Sequence, residues 1–251
     1  MMTAGVGEKI LTDIAVRGAT SLAHRAHKWF TSYDLLILGQ ERAGKTSFYK
    51  FLRQTLLSTD GGLSPPTVDS VNSGIFSFEW QTNTGPLRLE FRNVGDNSGQ
   101  IGPYKHAELL IHRKPHLLVV VLDLTLREDT DRLHGGYGTW FSYFCAYIGD
   151  MLMNRPRRAR RLNSRLKTML VVLNKVDVLN PSDADAIVSE AQSKVRTILT
   201  TRLSHHLGNR VSNFPIVPCS MVENPRHGTS QDTIERLRAV ISLLVSGMIT
   251  H

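Results

Sequence analysis

Cysteine is scarce in this chain. Two in 251 residues cannot make a disulfide framework, which excludes the small stapled secreted scaffolds and points to a reducing compartment. Cys145 and Cys219 are each expected to be a small core residue rather than a reactive thiol. Long hydrophobic runs are missing as well. The longest, Leu117 to Leu122, is ended by Asp123. It has the length of a buried strand and falls far short of the ~20 apolar residues a membrane-spanning helix needs. A secretory leader is not expected, because Glu8, Lys9, Asp13 and Arg17 interrupt the apolar residues near the start. Met1-Met2 lacks the glycine that N-myristoylation requires. Acidic charge is short too: 22 Asp and Glu stand against 30 Lys and Arg, a net charge of +8, with a pI near 9.7. That imbalance favours anionic partners and says nothing about fold.

What is present is an ordinary globular composition, 41% apolar and 21% charged, in a chain long enough for one sizeable domain with a proper core. Its organising stretch is Gly39-Gln40-Glu41-Arg42-Ala43-Gly44-Lys45-Thr46, which fits the phosphate-binding pattern G-x-x-x-x-G-K-[ST]. Tyr33 to Leu38 before it reads as a buried strand, and Ser47 to Leu52 after it as the first turns of a helix. Gly39 lets the chain leave the strand sharply, and Gly44 removes a Cβ from the path of an approaching phosphate. The backbone N–H groups from Glu41 to Ser47 then sit at a helix N-terminus, where the dipole also favours an anion. In this pattern Lys45 reaches the β- and γ-phosphates, and the Thr46 hydroxyl ligates Mg²⁺.

The rest of the chain reads as alternating strands and helices. Residues 8 to 30 make an amphipathic helix with Ile10, Ile14, Leu22, Trp29 and Phe30 on one side and Lys9, Arg17, Arg25 and Lys28 on the other. Such a helix packs on the domain or a partner, or lies in a membrane interface. Residues 74–80 and 87–92 alternate as a hairpin around Thr82 to Pro86. Strands are expected at 117–122, 169–173 and 214–217, and helices at 139–154, 183–203 and from about residue 231. The aromatic stripe Trp140, Phe144, Ile148, Met151 and Leu152 is core rather than a ligand box. The sum is an α/β fold: a mostly parallel six-stranded sheet with one antiparallel strand, covered on both faces.

A second signature, Asn174-Lys175-Val176-Asp177, ends the 169–173 strand. The Asp177 carboxylate can accept two N–H bonds from the N1 and N2 edge of guanine, Asn174 can bond the other side of the ring, and the Lys175 stem can lie over the base. Adenine lacks that donor pair, so an ATP would leave Asp177 unpaired.

With these two motifs the chain resembles the Ras-like small GTPases, and in some details their Arf branch, over about residues 33 to 250. The resemblance implies a three-layer P-loop domain at 33–251, preceded by the N-terminal helix at 1–32, that binds GTP and GDP with Mg²⁺ and hydrolyses GTP slowly as a cytoplasmic switch. It implies protein effectors or regulators as partners. Ser220 and Met221, in Pro218-Cys219-Ser220-Met221, stand where the family's backbone meets guanine. Thr67, after Pro65-Pro66, matches the switch threonine that joins Mg²⁺ and γ-phosphate in the triphosphate state. The Asp-x-x-Gly motif departs from the family. Aligned by the strand it begins at Asn93 and lacks both Asp and Gly. Aligned by pattern, Asp96-Asn97-Ser98-Gly99-Gln100 restores them. That register is preferred because it gives Asp96 for Mg²⁺ through water, Gly99 for γ-phosphate and Gln100 for the attacking water, at the cost of a strand about three residues longer. In the other register the chain is a nucleotide-binding scaffold without useful catalysis. Glu41 carries a carboxylate near the γ-phosphate, as Arf-like proteins do.

Residues 155–167 form an Arg-rich insert, Arg155 to Lys167, expected to be exposed because charge this dense repels itself. A solvated insert is one reading. Docking on an acidic protein, or peripherally on an anionic membrane, is the other. Nucleic acid is disfavoured, since no aromatic residues interleave for stacking.

Overall fold

The computed structural model describes residues 34–48, 102–126 and 135–220, and the backbone of residues 75–82 and 85–92. The expected helices at residues 8–30 and from 231 lie outside these, as do Thr67, Asp96, Gly99, Gln100 and Met221.

Three apolar runs set the centre. The strands β1 (Leu35–Gly39), β2 (Ile75–Thr82), β3 (Gly85–Arg92), β4 (Leu117–Asp123), β5 (Thr168–Asn174) and β6 (Ile216–Pro218) follow one another in the chain. Every residue of β1 and β4 is buried, as are the last six of β5. Such uninterrupted runs belong to parallel strands covered on both faces. They form a four-stranded parallel sheet in the order β1-β4-β5-β6. β2 and β3 pair antiparallel with each other, matching Phe76 with Phe91, Phe78 with Leu89 and Trp80 with Leu87. The single six-stranded sheet read from the sequence is thus, among the described residues, a sheet of four and a separate pair whose β3 comes near β1.

Four longer α-helices stand among the described residues: α1 (Pro103–Arg113), α2 (Tyr137–Asn154), α3 (Pro156–Arg165) and α4 (Ala184–Leu207). One sheet face, built from Leu36, Leu38, Leu118, Val120, Leu122, Met169, Val171 and Leu173, shares a core with them. Trp140 stacks on Phe144 with ring centroids 5.3 Å apart, and α4 adds Ala191, Val195, Leu199, Leu203 and Leu207 at a spacing of four. The opposite sheet face, with Leu35, Ile37, Val119, Val121, Leu170 and Val172, is buried as well. None of the described helices is long and apolar enough to cross a membrane.

One element was not expected at all: α1, two of whose inward positions are His106 and Ala107, which hydrophobic spacing does not mark. A proline at the first helical position and basic residues in the last turn, His112 and Arg113, are its start and stop signals. The Arg-rich stretch is exposed over most of its length, as expected, and forms a helix whose Leu162, with Leu166 just after it, gives it a side to bury. Cys145 and Cys219 are buried as expected, and desolvation pushes the Cys145 thiol far up, so it stays protonated.

Candidate functional site

The parallel register gathers strand C-termini at one edge. Gly39 is level with Val121, Asp123 with Asn174, and Leu173 with Pro218. Loops leaving this edge carry both motifs, as expected for open α/β sheets.

The phosphate loop begins where β1 meets its neighbour too closely for any side chain. A Cβ on Gly39, whose φ is 149°, would lie 2.1 Å from the Val121 carbonyl oxygen. Gln40 is buried, and its Oε1 accepts the Asp123 N–H at 3.1 Å. Glu41 and Arg42 are exposed, 3.9 Å apart in an ion pair, with Arg42 at a φ of 56°. Ala43 is buried. Gly44 takes a φ of 95°, and the chain turns helical at residue 45, with the Phe48 N–H donating to the Gly44 carbonyl at 2.8 Å. Lys45 is buried and folds back over the loop, donating to the carbonyls of Gln40 at 2.6 Å and Gly39 at 3.2 Å. Thr46 and Ser47 are exposed on the first turn.

The second motif touches the first. Asn174 is buried and donates from Nδ2 to the Ala43 carbonyl at 2.7 Å. A Cβ on Gly44 would meet that same Nδ2 at 2.4 Å, so the second glycine is fixed by residue 174 as much as by any ligand. The Asn174 Oδ1 is buried without a partner in the described structure. A buried acceptor left unpaired costs about 1–3 kcal/mol, and a donor from a ligand would recover it. Lys175, in the left-handed region at a φ of 68°, donates to Oδ2 of the buried Asp123. Asp123 Oδ1 accepts from the Thr125 N–H at 3.0 Å and its hydroxyl at 2.6 Å. Asp177 lies exposed in the short 3₁₀ turn Val176–Val178. The turn is tied to the end of β6, since the Val176 N–H donates to the Cys219 carbonyl and the Cys219 N–H to Leu173, placing half-buried Ser220 beside it.

Among the expected residues, then, Glu41 to Ser47, Asn174, Lys175, Asp177 and Ser220 share one edge. Gln40, Asp123 and Thr125 were missed. The signal was there in Asp123, a carboxylate ending an apolar strand level with Asn174. Among the described residues no three His, Cys, Asp or Glu side chains are placed to hold a metal by themselves.

No protein-family model matches this sequence, and a comparison with curated proteins returns no match. Solved structures of similar shape include translation elongation factor SelB from Methanococcus maripaludis. The apo form is 17% identical with a TM-score of 0.45, and the form in complex with the GTP analogue GppNHp is 14% identical with the same TM-score. Each match covers 86% of this chain and 34% of the other, so this chain spans about a third of those proteins' length. A likeness this low carries no argument about function, and the site geometry must carry it.

Proposed function

We propose that this chain binds a guanine nucleotide with Mg²⁺ and hydrolyses GTP slowly, as a switch. The observation that carries the reading is the hydrogen bond from Asn174 to Ala43: a phosphate loop and a base-recognition motif 131 residues apart form one continuous site. The N–H groups from Glu41 to Ser47 face the phosphates, and Lys45 exchanges its bonds to Gly39 and Gln40 for β- and γ-phosphate oxygens. Asp123 steadies Lys175 so that its stem flanks the base, Asp177 accepts from the guanine edge, and Ser220 and Met221 close the other side. Mg²⁺ fits as an ion held mainly by nucleotide phosphates and water, with the exposed Thr46 hydroxyl as a hard oxygen donor and Thr67 and Asp96 completing the set. Gly99 and Gln100 take the γ-phosphate and the attacking water.

Titration with labelled GDP, GTP and ATP tests the binding claim. Asp177→Asn is expected to weaken guanine nucleotides by roughly 100-fold or more with no gain for ATP, and equal binding of ATP and GTP by the wild type overturns it. Unaided turnover is expected on the order of 10⁻⁴ to 10⁻² per second.

A second reading, a nucleotide-binding scaffold without catalysis, rests on the sequence: aligned by the strand, the Asp-x-x-Gly motif begins at Asn93 and lacks both Asp and Gly. Single-turnover hydrolysis by wild type and Gln100→Leu separates the two. Loss of phosphate release in the variant supports the switch, and no release by either supports the scaffold.

A further inference from the structure

The outward side of α3 carries charge that nothing among the described residues answers. Arg157, Arg158, Arg160 and Arg161 are exposed and make no ion pair there. At 3.6 residues per turn, with Leu162 and Leu166 turned inward, Arg157, Arg160 and Arg161 fall on the outer half of the helix, while Arg158, one turn before Leu162, is exposed on its flank. The arrangement is unfavourable in isolation. Arg157 and Arg161 are like charges one turn apart. Arg155, Arg157 and Arg158 sit at the positive end of the helix dipole, with no acidic residue in the first turn. A local rule broken without a gain among the described residues fits a gain made outside the fold.

Position adds to composition. The Arg165 guanidinium pairs with Asp34 at 2.8 Å, just before β1, and the Lys167 N–H donates to the His116 carbonyl, just before β4. The C-terminal end of α3 is therefore tied to the N-terminal ends of β1 and β4, opposite the edge that holds Gly39, Asp123 and Asn174. Met153, in the last turn of α2 and two residues from Arg155, is 68% exposed, a large apolar side chain beside the cations. The large exposed aromatics among the described residues, Tyr104 and Tyr143, belong to the first turn of α1 and the first half of α2. Cations beside the exposed Met153, with no exposed aromatic on α3 for base stacking, match a lipid interface better than a nucleic acid backbone.

We propose that this end of the molecule docks on a membrane surface rich in anionic phospholipid, a role beyond nucleotide binding. Each arginine contributes about 5-fold in affinity. Flotation of the full chain with phosphatidylcholine vesicles, with and without phosphatidylserine, tests it. Binding is expected only with phosphatidylserine, and R157Q/R161Q is expected to weaken it roughly 25-fold, while R157K/R161K keeps it. R158Q/R160Q is the second pair, decisive if the first disturbs the circular dichroism spectrum. No binding to phosphatidylserine vesicles overturns the proposal, as does a folded glutamine pair that binds like wild type. Tighter binding to a single-stranded RNA oligonucleotide at the same salt, displacing the vesicles, overturns the lipid assignment.

Discussion

Gly44 shows how narrowly single residues are specified at the site. Its φ of 95° already disfavours a side chain, and a Cβ there would collide with Asn174 Nδ2. Gly44→Ala must therefore push Asn174 off the Ala43 carbonyl. Backbone strain of about 1–3 kcal/mol accompanies the move. The expected outcome is a lower melting temperature together with loss of GDP heat in calorimetric titration, whereas Ser47→Ala, on the exposed turn, leaves the melting temperature in place. Residue spacing made Gly39, Gly44, Lys45 and Asn174 legible in the sequence, because each is held to a short local pattern. Gln40 and Asp123 were not legible. Their roles come from facing one another across β1 and β4, 83 residues apart, and no local pattern encodes that.

At the scale of elements, legibility followed burial. β4 and β5 were readable to within a residue or two because both faces are covered, so hydrophobicity runs without a break. α2 was readable from its aromatic stripe. α1 was not, because His106 and Ala107 occupy inward positions that hydrophobicity does not mark; His106 is held by its Nδ1 contact to the Gly102 carbonyl at 3.2 Å and an edge contact to Trp140. α4 runs four residues past its expected end, to Leu207, because Leu203 and Leu207 continue the buried stripe. Leu199→Ala, in the middle of that stripe and fully buried, is expected to cost about 2–5 kcal/mol. Urea denaturation measures this as a lower midpoint at an unchanged slope.

At the scale of the molecule, two histidines among the described residues make stability depend on pH. Burial lowers the His116 pKa from its ordinary 6.5, with Arg165 and Lys167 lowering it further and Asp34 opposing them. His206 is lowered by burial and by His205, against Asp150. Because the folded values lie below the unfolded ones, the unfolded chain takes up these protons first as pH falls. The stability these two groups contribute is thus complete above about pH 6.5 and declines as pH drops through that value toward the folded pKa values. Melting temperatures measured across this window should fall with pH. His116→Asn keeps an acceptor for the Asp34 N–H, which His116 Nδ1 accepts at 3.1 Å, and is expected to flatten the decline. The parallel sheet that separates the Asn174 edge from α3 has one more consequence. The seven residues of β4 hold the two ends about 20 Å apart, more than two screening lengths of about 8 Å at physiological ionic strength. The arginines of α3 therefore add little to the potential felt by a phosphate in the Gly39–Thr46 loop, and added salt can release one end from its surroundings while the other keeps its hold.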